Sequence, residues 1–378
     1  MIKVFWGALI CSSLFACSEK TKIEEINYQD REPINLTVET SYFALSSAEF
    51  WPNHYPDMSD KTRGDVVKYQ QEFKEKGYSP EYRQAYPYNS HGTYFSYGVH
   101  GASCQQNEVE GKKKLNKDGV MMLKTNDGFM STPVLSAQCG IQSYFYHRRN
   151  LNEEVLAYVK DLLNAQNQFG GFEYLYHLKY KSVDLAPGWT SGMAQGQALS
   201  FFARILQDHE LEGLHNAGEW ALNYMITPIE EGGVMSTLAD LHPSLSNYIM
   251  FEEIVSDTEA QPHILNGNLF SLIGLYDWWQ LEPDAQAGSH HIAKLYFEQG
   301  VKTLEKLLPY YDELGMSSYD IWHLTDEKQS VHLAPAHYHY VHIYLLEAIY
   351  SITDSPIIGH YMRRWSLDVG YIRDYKTS

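Results

Sequence analysis

Beyond residue 150 the apolar positions of the chain recur three and four apart. Ala198, Leu199, Phe202, Ile205 and Leu206 fall on one face, Phe297, Val301, Leu304 and Leu308 on another, and Ile343, Leu346, Ile349 and Tyr350 on a third. Each stretch therefore carries one apolar stripe, which is the pattern of a helix that buries a single side. The period predicts helices near 152–167, 191–208, 214–226, 264–280, 290–308, 338–352 and 356–367, joined by Gly, Pro and Asp connectors. Such a succession fits a mainly α fold, either an antiparallel bundle or an α/α toroid, and the lack of a strict repeat argues against a regular solenoid. Residues 41–150 differ: they are rich in Tyr, Gly, Ser and Asn. Turn signals at Lys117-Asp118-Gly119 and Asn126-Asp127-Gly128 flank a short strand at Val120–Leu123. A smaller mixed, β-hairpin-containing region is thus expected ahead of a helical body at 151–378.

The N-terminus has its own pattern. Lys3 supplies a positive start, Val4–Ile10 most of an apolar run, and Leu14-Phe15-Ala16-Cys17 a small-residue cleavage site. The run is too short to span a bilayer as a mature helix. It resembles a bacterial lipoprotein signal over residues 1–17, with Cys17 as the lipidation site and Ser18 favouring the outer membrane. A plain secretory signal is the alternative, and it also exports the chain. Residues 18–40 are polar and charged and read as a tether. Cys104 and Cys139 are then the thiols left in the body, and outside the cytoplasm they either pair or stay as two separate buried residues.

Charge narrows the partners. Lys and Arg number 29 against 47 Asp and Glu, for a net charge of −18 over 378 residues, which argues against a nucleic-acid binder. Hydrophobic residues make up 44%, enough for a large core. No HExxH, P-loop or GxGxxG run is present.

Polar and aromatic groups interrupt the helix pattern in three places. Pro187–Gln197 holds small residues that serve either a ligand-facing turn at a helix start or a tight helix crossing. Glu252-Glu253 is either a solvated acidic pair or part of a site, and Leu265–Asp277 follows it. The third runs from Leu308 through Tyr319-Asp320-Ile321-Trp322-His323 to Tyr338-His339-Tyr340-Val341-His342. His339 and His342 share the spacing of a metal pair, yet no third ligand stands at a defined interval, so no metal is assigned.

In this order, these motifs resemble the C-terminal catalytic domain of the D-glucuronyl C5-epimerases: Gly188-Trp-x-Ser-x-Met-Ala-Gln-Gly-Gln197, the acidic pair, Leu265-Asn-Gly with Ser271–Asp277, Leu308-Pro-x-Tyr-Asp312, Tyr319-Asp-x-x-His323, Tyr338-His-x-x-His342 and the closing Arg364-Trp365. The resemblance covers about residues 185–366, with an echo at Pro133–Gly140. It implies an incomplete α/α toroid acting on glucuronate in a heparosan-like acidic polysaccharide, without a cofactor. The interval from Gly140 to Pro187 leaves no room for the β-barrel domain that animal members place before the helices.

Epimerisation takes the proton from carbon 5, beside the carboxylate, and returns one to the opposite face. It needs two proton-transfer groups and a partner for charge on the carboxylate. The resemblance assigns Tyr338 and Tyr319 as the acid/base pair and Glu253 as an active-site carboxylate. It puts forward Trp189, Gln195, Gln197, Asn266, Trp322, His323, His339 and His342 as substrate contacts. Two positions depart from the family: Ile254 stands where a tyrosine follows the acidic pair, and Trp322 replaces an arginine that would meet the carboxylate. Tyr248 or His339 is a candidate replacement for the first. Arg204, Lys179, Lys181 and Arg363 are candidates for the second, with Trp322 left to stack on a sugar. A lyase on the same toroid and a glycan-binding lipoprotein without catalysis are the rival readings.

Overall fold

The computed structural model describes residues 34–43, 58–76, 87–95, 104 and 111–368. The export signal, Cys17 and most of the tether lie outside the described residues. Among the described residues the helices are α1 (Asp60–Lys76), α2 (Pro133–Tyr146), α3 (Glu153–Ala165), α4 (Gly192–Leu206), α5 (Glu212–Ile226), α6 (Leu265–Trp279), α7 (Gly288–Tyr311), α8 (Ala336–Thr353) and α9 (Pro356–Asp368). α3 to α9 match the helices expected from the apolar period. The two earlier ones fall in the region read as mixed, and α2 belongs to the helical body. Its start is set by local chemistry: the Thr132 hydroxyl accepts from the Leu135 N–H at 3.2 Å, and Pro133 occupies the first turn.

Helices α2, α4, α6 and α8 form an inner row, each packed on the next. α3 backs α2, α5 backs α4, α7 backs α6, and α9 lies on α8 and α7. α2 and α8 do not pack extensively on one another, so the row is an open arc, an incomplete α/α toroid. Almost every residue of α4 and α6 is buried, as helices covered on several sides require. Their backbones touch. A Cβ on Gly274 would stand 2.2 Å from the Gly196 carbonyl oxygen, and one on Gly196 would stand 2.6 Å from that of Phe270. Gly196 of the Pro187–Gln197 motif therefore serves the tight crossing, whereas Gly188, at φ 102°, serves a turn.

An ionic knot crosses the same pair of helices. Arg204 donates to Asp277 at 2.7 Å, to the Tyr88 hydroxyl at 3.0 Å and to the Gly92 carbonyl at 3.0 Å, all out of reach of solvent on the arginine side. It straps residues 87–95 over α4 and α6. Cys104 and Cys139 are joined by a disulfide, which settles the pairing left open above.

Short antiparallel strands fill the connections. β1 (Lys113–Leu115), β2 (Met121–Thr125) and β3 (Gly128–Met130) make a meander that turns at the expected Asn126-Asp127 step. β4 (Leu178–Tyr180) pairs with β5 (Val183–Leu185), and β6 (Met235–Thr237) with β7 (Ile249–Phe251). β8 (Asp312–Glu313), β9 (Met316–Asp320) and β10 (His332–Leu333) form a sheet with β9 in the middle. Apart from the main core, Val183, Ile254, Ile264, Tyr319, Trp322 and Ala334 make a second small apolar cluster beneath the β4–β5 hairpin.

The disulfide closes a separation of 35 residues, and loop entropy puts its stabilising effect at about 4 kcal/mol. Cys139→Ser, like the wild type in reductant, is expected to unfold several degrees lower in a thermal melt; coincident melting curves would show that the bridge contributes nothing.

Candidate active site

The N-terminal ends of α6 and α8 open on the same region, where the loop after β7, the end of β9 and the β4–β5 hairpin meet. Glu253 is the first group placed there. A Cβ on Gly267 would lie 2.4 Å from the Glu253 Cβ, so glycine at that position makes room for the side chain. Asn266 Nδ2 donates to Glu253 Oε2 at 2.9 Å, and the Tyr319 hydroxyl lies 3.5 Å from Oε1. Burial pushes the Glu253 carboxyl up to about 7, with the Asn266 and Tyr319 hydrogen bonds pulling the other way and the charge of Glu252 adding to the rise.

Tyr319 and Tyr338 are in contact, ring centroids 4.9 Å apart at 79°. The three groups form a chain from Glu253 through Tyr319 to Tyr338. Tyr319 is only 8% exposed, whereas Glu253 and Tyr338 are half-buried, so the two ends of the chain are the accessible groups. Burial, then the neighbouring Glu253, holds the Tyr319 phenol well above its ordinary range, which keeps it protonated.

Glu252 points the other way. His263 Nδ1 is 2.7 Å from Glu252 Oε1, and its Nε2 is 3.0 Å from both oxygens of Asp240. The Ser236 hydroxyl donates to Glu252 at 2.6 Å. Burial disfavours the imidazolium, but Asp240 and then Glu252 outweigh it and lift His263 to about 10. His263 also holds a left-handed backbone, φ 51°, which a non-glycine residue adopts only when its surroundings fix it. This histidinium clamp fixes both ends of the loop that carries Glu253. Nothing in the sequence singled it out, because Pro262-His263-Ile264 fits no ligand or triad spacing.

The remaining expected contacts divide. Asn266 is at the site through Glu253. Trp189 is half-buried beside the small cluster, stacked on Tyr174 at 3.8 Å, with its Nε1 donating to the Tyr176 carbonyl at 2.9 Å. Trp322 is 2% exposed and lies parallel to Tyr180, so it presents no face for a sugar. His339 and His342 are buried and share the Ser317 hydroxyl at 2.8 and 2.7 Å, stapling α8 to β9. Burial depresses both, His339 to about 4, so they are neutral fasteners rather than substrate contacts. His323 is buried beside Glu313, 3.9 Å away. Gln197 accepts from Gln138 at 2.7 Å, and the Gln195 amide, oriented to satisfy both partners, bridges the Gly170 carbonyl and the Phe172 N–H. The two glutamines thus spend hydrogen bonds on their neighbours in the fold. Tyr248 lies under Lys306 of α7, and Ile254 packs into the floor of the cluster.

An open helical toroid thus carries a carboxyl–phenol–phenol chain at its mouth. The chain belongs to the D-glucuronyl C5-epimerase family: the model of the D-glucuronyl C5-epimerase C-terminus matches residues 166–367. It is 28% identical to the D-glucuronyl C5-epimerase of Caenorhabditis elegans over 264 residues, 68% of this chain and 41% of that one. It is 25% identical to an uncharacterized protein of Methanocaldococcus jannaschii over 191 residues, 50% of this chain and 56% of that one. The chain thus spans about half the length of these relatives.

Two outcomes follow from the electrostatics. The raised Glu253 favours the neutral acid in the folded state, so its ionisation costs stability progressively as pH rises from the unfolded value, about 4.3, to about 7. Glu253→Gln, which mimics the neutral acid, should gain melting temperature over the wild type across that window and plateau above it; a pH-independent difference would contradict the assignment. His263→Leu leaves two carboxylates buried without their cation and should destabilise by about 3–5 kcal/mol in denaturant unfolding.

Proposed function

We propose that this protein is a uronate C5-epimerase that converts D-glucuronate to L-iduronate within a heparosan-like polysaccharide. The observation that carries the reading is the chain Glu253–Tyr319–Tyr338, with its accessible ends and its buried centre. Groups that serve opposite faces of one carbon must each come within about 3 Å of it, and so stand roughly 6 Å apart. Tyr319, buried between the other two, is the member least able to reach a sugar ring. Glu253 and Tyr338 are accordingly the proton-transfer pair, and Tyr319 is the link between them. This exchanges the roles that the family resemblance alone assigned to Glu253 and Tyr319.

In the reaction the C5–H bond breaks and its proton passes to the ionised group on one face. The electron pair delocalises into the adjacent carboxylate, and the group on the other face returns a proton to C5. A carboxyl raised to about 7 suits this exchange near neutral pH. Tyr319, held protonated, hydrogen-bonds Glu253 and keeps the carboxyl in place. The net charge of −18 favours an unsulfated chain over a heavily sulfated one, since a local basic group needs to act only within a Debye length of about 8–10 Å. The signal-like residues 1–17 support export with lipid attachment at Cys17, and the Cys104–Cys139 disulfide fits an oxidising compartment.

The test is incubation of the protein lacking residues 1–17 with heparosan in deuterated water. Deuterium at carbon 5 with iduronate formed is the expected result; unsaturated, ultraviolet-absorbing chain ends would identify a lyase, and unaltered polymer that nonetheless binds would identify a glycan-binding protein. Glu253→Gln and Tyr338→Phe should each lower exchange at least about 100-fold, while Tyr319→Phe, losing hydrogen bonds only, should cost about tenfold. Full exchange in Tyr338→Phe would remove that residue from the mechanism.

A further inference from the structure

Proton removal beside a carboxylate places charge on the carboxylate oxygens, and a site that promotes it must meet them with a positive group. The glutamate and the two phenols described above supply none. Of the four cations considered from the sequence, three are elsewhere. Arg204 is sealed in its pair with Asp277. Arg363 lies over the Tyr350 ring on α9. Lys179 is exposed on β4, where alternation sends it to the face opposite Leu178 and Tyr180, both of which pack on the small cluster.

We propose that Lys181 receives the uronate carboxylate; the proposal rests on the epimerase reading of this site. Lys181 and Ser182 form the two-residue turn between β4 and β5, whose register pairs Tyr180 with Val183. The Lys181 Nζ lies 5.6 Å from the centre of the Trp322 ring and 5.8 Å from that of Tyr180. The buried indole therefore acts as the bed for a cation delivered from another element, which explains how a tryptophan is accommodated at that place in the Tyr319–His323 run.

Asp320 anchors the ammonium at 2.8 Å. One carboxylate takes up at most two of the three N–H donors of a lysine, so a donor remains for a ligand. Asp320 also accepts from Tyr180 and from the Trp322 N–H, and it shares a hydrogen bond with His332, so its charge is divided among four partners. The His332 ring is in turn 5.1 Å from that of Tyr319, which ties this cationic corner to the proton-transfer chain. The Lys181 side chain is 22% exposed, open enough to be reached from solvent. Its backbone has φ 50°, in a turn position where glycine is unstrained.

The experiment uses heparosan oligosaccharides and their carboxyl-reduced counterparts, in which glucuronate has become glucose. The wild type should bind the acid form more tightly by calorimetry. Lys181→Met and Lys181→Gln, each checked for an unchanged melting curve, should lose that preference and lower deuterium exchange about 100-fold, and Lys181→Arg should restore most of both. Wild-type exchange in Lys181→Met overturns this proposal and leaves the epimerase reading standing. If the wild type exchanges no deuterium, the epimerase reading fails by itself. Equal binding of the acid and reduced forms by the wild type, or a preference that survives in Lys181→Met and Lys181→Gln, overturns the role of Lys181 whatever the activity.

Discussion

The site depends first on two helices lying closer than side chains normally allow. Because Gly196 and Gly274 bring the backbones of α4 and α6 into contact, the start of α4 lies against the strand that precedes Glu253: a Cβ on Gly192 would lie 3.0 Å from that of Phe251. The Gly192 N–H donates to the Glu252 carbonyl at 2.7 Å, so the same junction that closes the inner row also sets the height of the acidic loop. Gly267, one turn into α6, then leaves the space that the Glu253 side chain enters. Close packing transmits small changes of volume, and a methyl group at any of these glycines would be felt at the carboxyl.

Adjacent acids of one dipeptide end up with opposite duties. Glu252 is turned inward, where His263 and Ser236 satisfy it, and it serves as a counter-ion in the fold. Glu253 is turned toward the mouth with an amide and a phenol for company, and no cation is among the groups that shift it. Pairs of titratable groups held in unlike surroundings are a recurring way to obtain acid and base behaviour from identical side chains. Here the separation falls where the chain leaves β7 and bends at Glu253.

Much of this was legible beforehand. The helical body was, because seven stretches carried a clean apolar stripe, and Tyr319, Tyr338, Glu253 and Asn266, far apart in the chain, do meet. What escaped had physical reasons. α2 mixes Ser, Gly and Cys into its buried face, so its apolar period is weak, and its cap at Thr132 was the better signal. His339 and His342 looked chemical by spacing, yet whether such a face points at a cavity or at the Ser317 hydroxyl is decided by a strand that arrives from elsewhere. Gln195 and Gln197 are polar residues on an inner helix whose partners lie in α2 and in the loop after α3, invisible without the packing. His263 had no pattern at all, and Lys181 was one of four indistinguishable cations until the hairpin placed it.

The stretch matched by the family model begins at residue 166, but the arc of helices does not. α2, the first member of the inner row, is followed by α3, and both precede that point, as do Tyr88 and Gly92, which complete the Arg204 knot. A fragment trimmed to the shared stretch would bare one flank of α4 and leave a guanidinium short of two of its partners. The portion that the family model matches is therefore smaller than the helical body, and anyone dissecting this chain should cut where the helices end rather than where that match does.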